Sequence, residues 1–196
     1  MDANTETTSI PQYETTVFTL KPDNFGPNRA TLLHARTTKK SNLYKAVLYL
    51  HGYNDYFFQD HVCNRFLDFG YDFFALDMHK CGRSIISPEQ DQYRHYCTDM
   101  HEYDEEISLS IEHMNKQAEE YANKKFALIG HSTVDLVLNV ENIRRAAGML
   151  GQHVTLCPIE KATHDVFLSK KPVREQAFKC MFQWLENLER EWIKDV

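Results

Sequence analysis

Two apolar runs, "YKAVLYL" (44–50) and "YDFFALD" (71–77), constrain the fold more than any other feature of the chain. Both are nearly continuous, whereas a strand with one wet face alternates apolar and polar residues. Such runs fit strands covered on both faces, as in a parallel sheet. Between them, "FQDHVCNRFLDFG" (58–70) carries an apolar helical face and ends on Gly70, a residue type that stops helices. Together the three segments predict one β-α-β unit.

The same alternation continues downstream. "FALIG" (126–130) and "VTLCPI" (154–159) read as further strands, and "VENIRRAAGMLG" (140–151) as a short helix closed by Gly151. "VREQAFKCMFQWLENLERE" (173–191) reads as a final amphipathic helix with Phe178, Phe182 and Leu185 on its inner stripe. From about Thr98, a long helix is expected, with Met100, Tyr103, Ile107, Ile111 and Met114 at helical spacing, acidic residues early and lysines late. Upstream, "YETTVFTL" (13–20) and "ATLLHAR" (30–36) flank the cluster "KPDNFGPN" and read as a hairpin or neighbouring antiparallel strands. The expected architecture is α/β: a mostly parallel sheet of about six strands with helices on both faces. In such sheets ligands meet the carboxyl ends of the strands.

At 196 residues the expectation is a polar, disordered tail over residues 1–12 and a single domain over 13–196. A formal charge of −6 argues against a nucleic-acid partner, which would call for clustered Lys and Arg. No run approaches the ~20 apolar residues of a membrane span, and the polar N-terminus does not read as a secretory signal. Five cysteines, with no C-x-x-C pair, fit free thiols and a cytoplasmic address better than a disulfide framework.

Four features fall at predicted carboxyl ends: His51-Gly52-Tyr53, "DMHKCGRS" (77–84), Gly130-His131-Ser132, and His164 within "KATHDVF". The succession "LYLHGYNDY", "ALDMHKCGRS", "ALIGHS" and "HVTLCPIEKATHDVF" resembles the α/β-hydrolase family, in its monoacylglycerol-lipase and lysophospholipase branch, also described as serine aminopeptidase S33-like. The resemblance implies a serine ester hydrolase working through an acyl-enzyme. It assigns Ser132 as nucleophile, Asp135 as orienting acid and His164 as base, with the backbone N–H groups of Tyr53 and Thr133 as oxyanion hole. A hydroxyl needs such a base because it is a poor nucleophile at neutral pH.

The resemblance runs as two blocks, residues 30–133 and 134–190, with an apparent internal deletion at their join. Family members place a long excursion, including the lid, between nucleophile and acid; here only Thr133 and Val134 stand between Ser132 and Asp135. Val134 occupies the place of the turn's second glycine, and Lys80 a place where the family usually has glycine. Three residues still span up to ~10 Å, so reach alone permits the triad. The resemblance therefore implies a truncated α/β-hydrolase without a lid, and the alternative is a catalytically inactive remnant or isoform. Each residue also has a plainer reading: Ser132 as a strand-exit serine, Asp135 as a helix cap, His164 as a loop histidine.

"HYCTDMH" (95–101) offers His95, Cys97, Asp99 and His101, but their spacing does not converge on a metal, and "DMHKCGRS" lacks the glycine pattern of a phosphate loop. No metal or cofactor is expected. The expected partners are a small ester or lipid substrate, peripheral membrane contact, and self-association through apolar faces left uncovered.

Overall fold

The computed structural model describes residues 10–119, 121, 123–130, 157, 159–162 and 166–193. Contacts divide the chain into two compact units, Met1–Gly130 and His131–Val196.

The first unit is built on a hairpin of β1 (Glu14–Asp23) and β2 (Gly26–Ala35). Its strands run further into the Pro/Gly cluster than their composition suggests, leaving Asn24-Phe25 as the turn. Asp23 Oδ1 accepts the Phe25 N–H at 2.8 Å, and Gly26 takes a φ of 117°, open to glycine. Next come β3 (Leu43–Leu50), α1 (Asp60–Asp68), β4 (Asp72–Asp77), α2 (Asp104–Gln117) and β5 (Asn123–Gly130). Gly70 ends α1 as expected: at φ 79° it lets the Tyr71 N–H return to the Phe66 carbonyl at 3.0 Å.

The sheet corrects the expected fold class. Among the described residues it has five strands rather than six, in the order β1-β2-β4-β3-β5. It is mixed rather than mostly parallel. β1 with β2 and β2 with β4 are antiparallel, while β4 with β3 and β3 with β5 are parallel. The reason is that an apolar run records burial and not direction. β2, with Leu32, Leu33 and Ala35 buried, covers the edge of β4 and runs antiparallel to it. The expected helix at 140–151 lies outside the described residues, as does most of the expected strand at 154–159, of which Cys157 and Ile159 are in neither helix nor strand.

Alternation along the strands buries both faces. On one, Leu32, Ala46, Leu48, Phe74 and Leu76 form a continuous core with Tyr103 and Met114. On the other, Phe73 packs against Tyr49, Phe57 and Phe66, ring centroids 6.1, 5.3 and 5.6 Å away. Each fully buried Leu or Phe among them contributes about 2 kcal/mol of apolar transfer free energy. α1 and α2 thus cover opposite faces.

The long helix begins differently from its periodicity. A 3₁₀ turn, Met100–Tyr103, precedes α2, capped by Asp99 and Glu102 in a reciprocal box. The buried residues of α2 are Glu106, Ser110 and Met114, whereas Met100 and Ile111 are exposed. The helix is turned to carry Glu106 inward, where its Oε1 meets the Nδ1 of His79 at 2.8 Å and the His79 N–H at 3.1 Å.

In the second unit a 3₁₀ turn, Val166–Leu168, leads to α3 (Lys171–Ile193). Phe178, Phe182 and Leu185 are buried as the sequence predicts, and Phe167 stacks on Phe178 at 5.0 Å. Cys157 and Cys180 form a disulfide, which corrects the expectation of free thiols throughout; Cys63, Cys81 and Cys97 are free. Among the described residues no helix is long and apolar enough to cross a membrane.

Candidate active site

The carboxyl ends of β3 and β4 are tied together by His51. Its Nε2 accepts the Met78 N–H at 3.1 Å, which leaves the ring proton on Nδ1 to be donated to the Gly52 carbonyl at 2.9 Å. Both ring nitrogens are thereby committed to holding the rim. The chain then turns through Tyr53 and Asn54, the latter in left-handed backbone at φ 62°. Asparagine tolerates that conformation better than most residues. Tyr53 is 76% exposed, and its backbone N–H makes no hydrogen bond among the described residues.

Asp77 anchors the other half of the rim. Fully buried, it accepts the Phe57 N–H at 2.9 Å, the Arg83 N–H at 3.0 Å and the Arg83 guanidinium at 2.8 Å. Arg83 donates in addition to the Phe57 carbonyl at 2.8 Å, so one ion pair closes the loop from Tyr53 to Phe57 onto β4. A buried carboxylate needs this degree of satisfaction to be tolerated. Lys80 stands at φ 59° with its ammonium against Asp23 and over the rings of Phe25 and Tyr96, 5.3 and 5.5 Å from their centroids. These contacts hold a lysine in backbone that suits glycine.

A cavity of about 60 Å³ opens where the two rim turns meet. Its walls include His51, Tyr53, Met78, Cys81, His95 and Tyr103. Burial, then the carboxylate of Asp77, pushes the Cys81 thiol up to about 12, so it stays protonated at neutral pH and is no nucleophile. His95 is held below the usual histidine range, chiefly by burial and then by His51.

Of the residues assigned to catalysis, Tyr53 lies at this rim, and Ser132, Thr133, Asp135 and His164 lie outside the described residues. β5 brings the chain to the same edge: in the parallel β3–β5 ladder Leu50 pairs with Gly130. His51 and His131 therefore follow paired positions on adjacent strands. Among the described residues no cluster of three or more His, Cys, Asp or Glu could hold a metal. The sequence weighed His95 only as a metal ligand and did not single out Tyr103 for the site. No motif marks either one: His95 comes from the loop after β4 and Tyr103 from the 3₁₀ turn that precedes α2.

The profile of the family described as "Serine aminopeptidase, S33" matches residues 41–134, the stretch that builds this rim. Esterase 2 of Thermogutta terrifontis superposes with a TM-score of 0.51 at 13% identity, over 92% of this chain and 96% of that one. A predicted CIB-like hydrolase from Thermoplasma acidophilum gives 0.50 at 15% identity, over 90% and 100%. The chain shares the fold of these hydrolases. A soluble variant of monoglyceride lipase from Saccharomyces cerevisiae, in complex with a substrate analogue, is similar at 16% identity and a TM-score of 0.46, over 64% of this chain. The chain spans only 34–36% of the length of that lipase, of a Bacillus coagulans carboxyl esterase and of a probable hydrolytic enzyme from Pseudomonas aeruginosa. No curated protein sequence matches it significantly.

Proposed function

We propose that the chain is a serine ester hydrolase acting through an acyl-enzyme, with Ser132 as nucleophile, His164 as base and Asp135 as orienting acid. The Tyr53 and Thr133 backbone N–H groups would stabilise the oxyanion. One observation carries the reading: the Leu50–Gly130 pairing sets the exits of β3 and β5 side by side, with an uncommitted N–H at Tyr53. Adjacent strands are ~4.8 Å apart, and Ser132 follows Gly130 by two residues in sequence; the proposed triad calls for its hydroxyl to meet the Tyr53 turn. The branch resemblance extends the substrate to monoacylglycerol or lysophospholipid esters. It also extends the partners to a membrane surface, and to a second copy through apolar side chains such as Met100, 73% exposed. A cytoplasmic address rests on the three free thiols, with the Cys157–Cys180 disulfide weighing against it.

The second reading, an inactive remnant, is favoured by the family match ending at Val134, two residues past Ser132. Hydrolysis of p-nitrophenyl butyrate separates the two. Measurable turnover that falls at least 100-fold in Ser132→Ala is the expected result. Equal rates in folded wild type and variant would leave the remnant.

A further inference from the structure

The cavity between the β3 and β4 exits is lined by a buried polar side chain that its neighbours leave unused. His95 lines it with 9% of its surface exposed, its backbone N–H bonded to the Lys80 carbonyl at 3.0 Å in a left-handed turn of φ 59°. Neither ring nitrogen makes a hydrogen bond among the described residues, and Nδ1 is buried without a partner. Two other polar groups on the wall are committed. His51 uses both ring nitrogens on the rim, and the Cys81 thiol donates to the His79 carbonyl at 3.4 Å. A buried imidazole calls for a hydrogen-bond partner, and the protein groups around His95 supply none to Nδ1.

The chemistry of that group defines what would complete it. Burial, His51 and Arg94 all favour the neutral ring over the cation, outweighing Asp55 and Asp91. A neutral imidazole offers one donor and one acceptor. A hydroxyl matches it in either direction, whereas a carboxylate or phosphate would call for the imidazolium that this setting disfavours. The volume of about 60 Å³ admits a few water-sized groups, at ~15 Å³ each, and Met78, Met100 and Tyr103 make much of the remaining wall apolar. The fit is to a short, uncharged alcohol.

We propose that His95 anchors the hydroxyl of a small uncharged alcohol or diol in this cavity, and that the enzyme accepts esters whose alcohol part seats there. The binding half stands on the cavity alone; the substrate half rests on the esterase reading above. The test is an NMR titration of full-length protein, labelled with ¹⁵N-histidine, with 1,2-ethanediol while following the His95 ring nitrogens. For four heavy atoms a saturable shift with a Kd on the order of tens of millimolar is expected. His95→Leu should weaken binding at least tenfold, with His95→Gln, which keeps a donor and an acceptor, recovering part of it. Acetate, similar in size but charged, should give no saturable shift. A linear response, as if only water occupied the cavity, or unchanged affinity in the Leu variant, would overturn the proposal.

Kinetics separate its failure from that of the esterase reading. The expected result is that His95→Leu loses at least tenfold in kcat/KM for 2-hydroxyethyl butyrate relative to p-nitrophenyl butyrate. An active enzyme with that ratio unmoved refutes the substrate half and leaves the esterase standing. Saturable diol binding in a protein without ester turnover refutes the esterase and the substrate half together, and leaves the anchor.

Discussion

Gly82 is the residue at which the rim has no latitude. Its φ is 47°, and an added Cβ would lie 2.5 Å from the Tyr56 Cβ and 2.6 Å from Asp77 Oδ2, inside the ion pair that ties the two rim turns together. Left-handed strain and overpacking act at once, so Gly82→Ala should cost about 2–4 kcal/mol in urea denaturation. A variant within about 0.5 kcal/mol of wild type, the range of an ordinary surface change, would show that the turn is not under this constraint. The sequence sets "DMHKCGRS" at the carboxyl end of a strand, and in the structure it follows β4. What it could not show is that the turn is held by Asp77, because an acidic residue closing an apolar run reads equally well as the end of a strand. The latch on Lys80 is equally hidden, since Asp23, Phe25 and Tyr96 are distant in sequence and meet only when the β1–β2 hairpin folds over.

Among elements, α2 shows how a regular pattern can mislead about orientation. Ile107, Ile111 and Met114 predict an aliphatic stripe, but the charge-assisted contact of Glu106 with His79 turns the helix, and Ile111 is exposed. The same helix carries His113, packed edge-on against Phe18 and Phe74 and held below the usual histidine range by burial and then by His34. Its folded-state pKa is below its unfolded one, as it is for His95. The unfolded chain therefore binds more protons between the two values. The stability each histidine contributes is present above about pH 6.5 and lost as pH falls through the folded value. Asp72 is depressed as well, and its contribution is lost further down, below the ordinary carboxylate range. His101 acts in the opposite sense, beside Asp104, but it is exposed and screened. The urea midpoint should accordingly be lower at pH 5.5 than at pH 7.5, and His113→Gln should reduce the difference. An unchanged difference in that variant would remove His113 from the account.

For the molecule as a whole, the sequence displayed its α/β character, because both faces of the central strands must be covered and the apolar runs say so. It did not display strand direction or strand number, since burial is blind to polarity and β2 pairs with β4 across an intervening strand and helix. Nor could spacing disclose the Cys157–Cys180 link, as five cysteines without a paired motif point to no partner. The shared exit of two strands was legible for a physical reason: parallel strands deliver their carboxyl ends to one rim, so Leu50 and Gly130 had to end side by side if β3 and β5 were neighbours. They are. The account turns on whether the hydroxyl just beyond that rim is activated, and covalent capture reads this without knowledge of the substrate. Incubation with a fluorophosphonate, followed by intact-mass analysis and peptide mapping, should give one adduct per chain, on Ser132, that disappears in Ser132→Ala. Folded wild-type protein that takes no label, or takes it on another residue, would contradict the account.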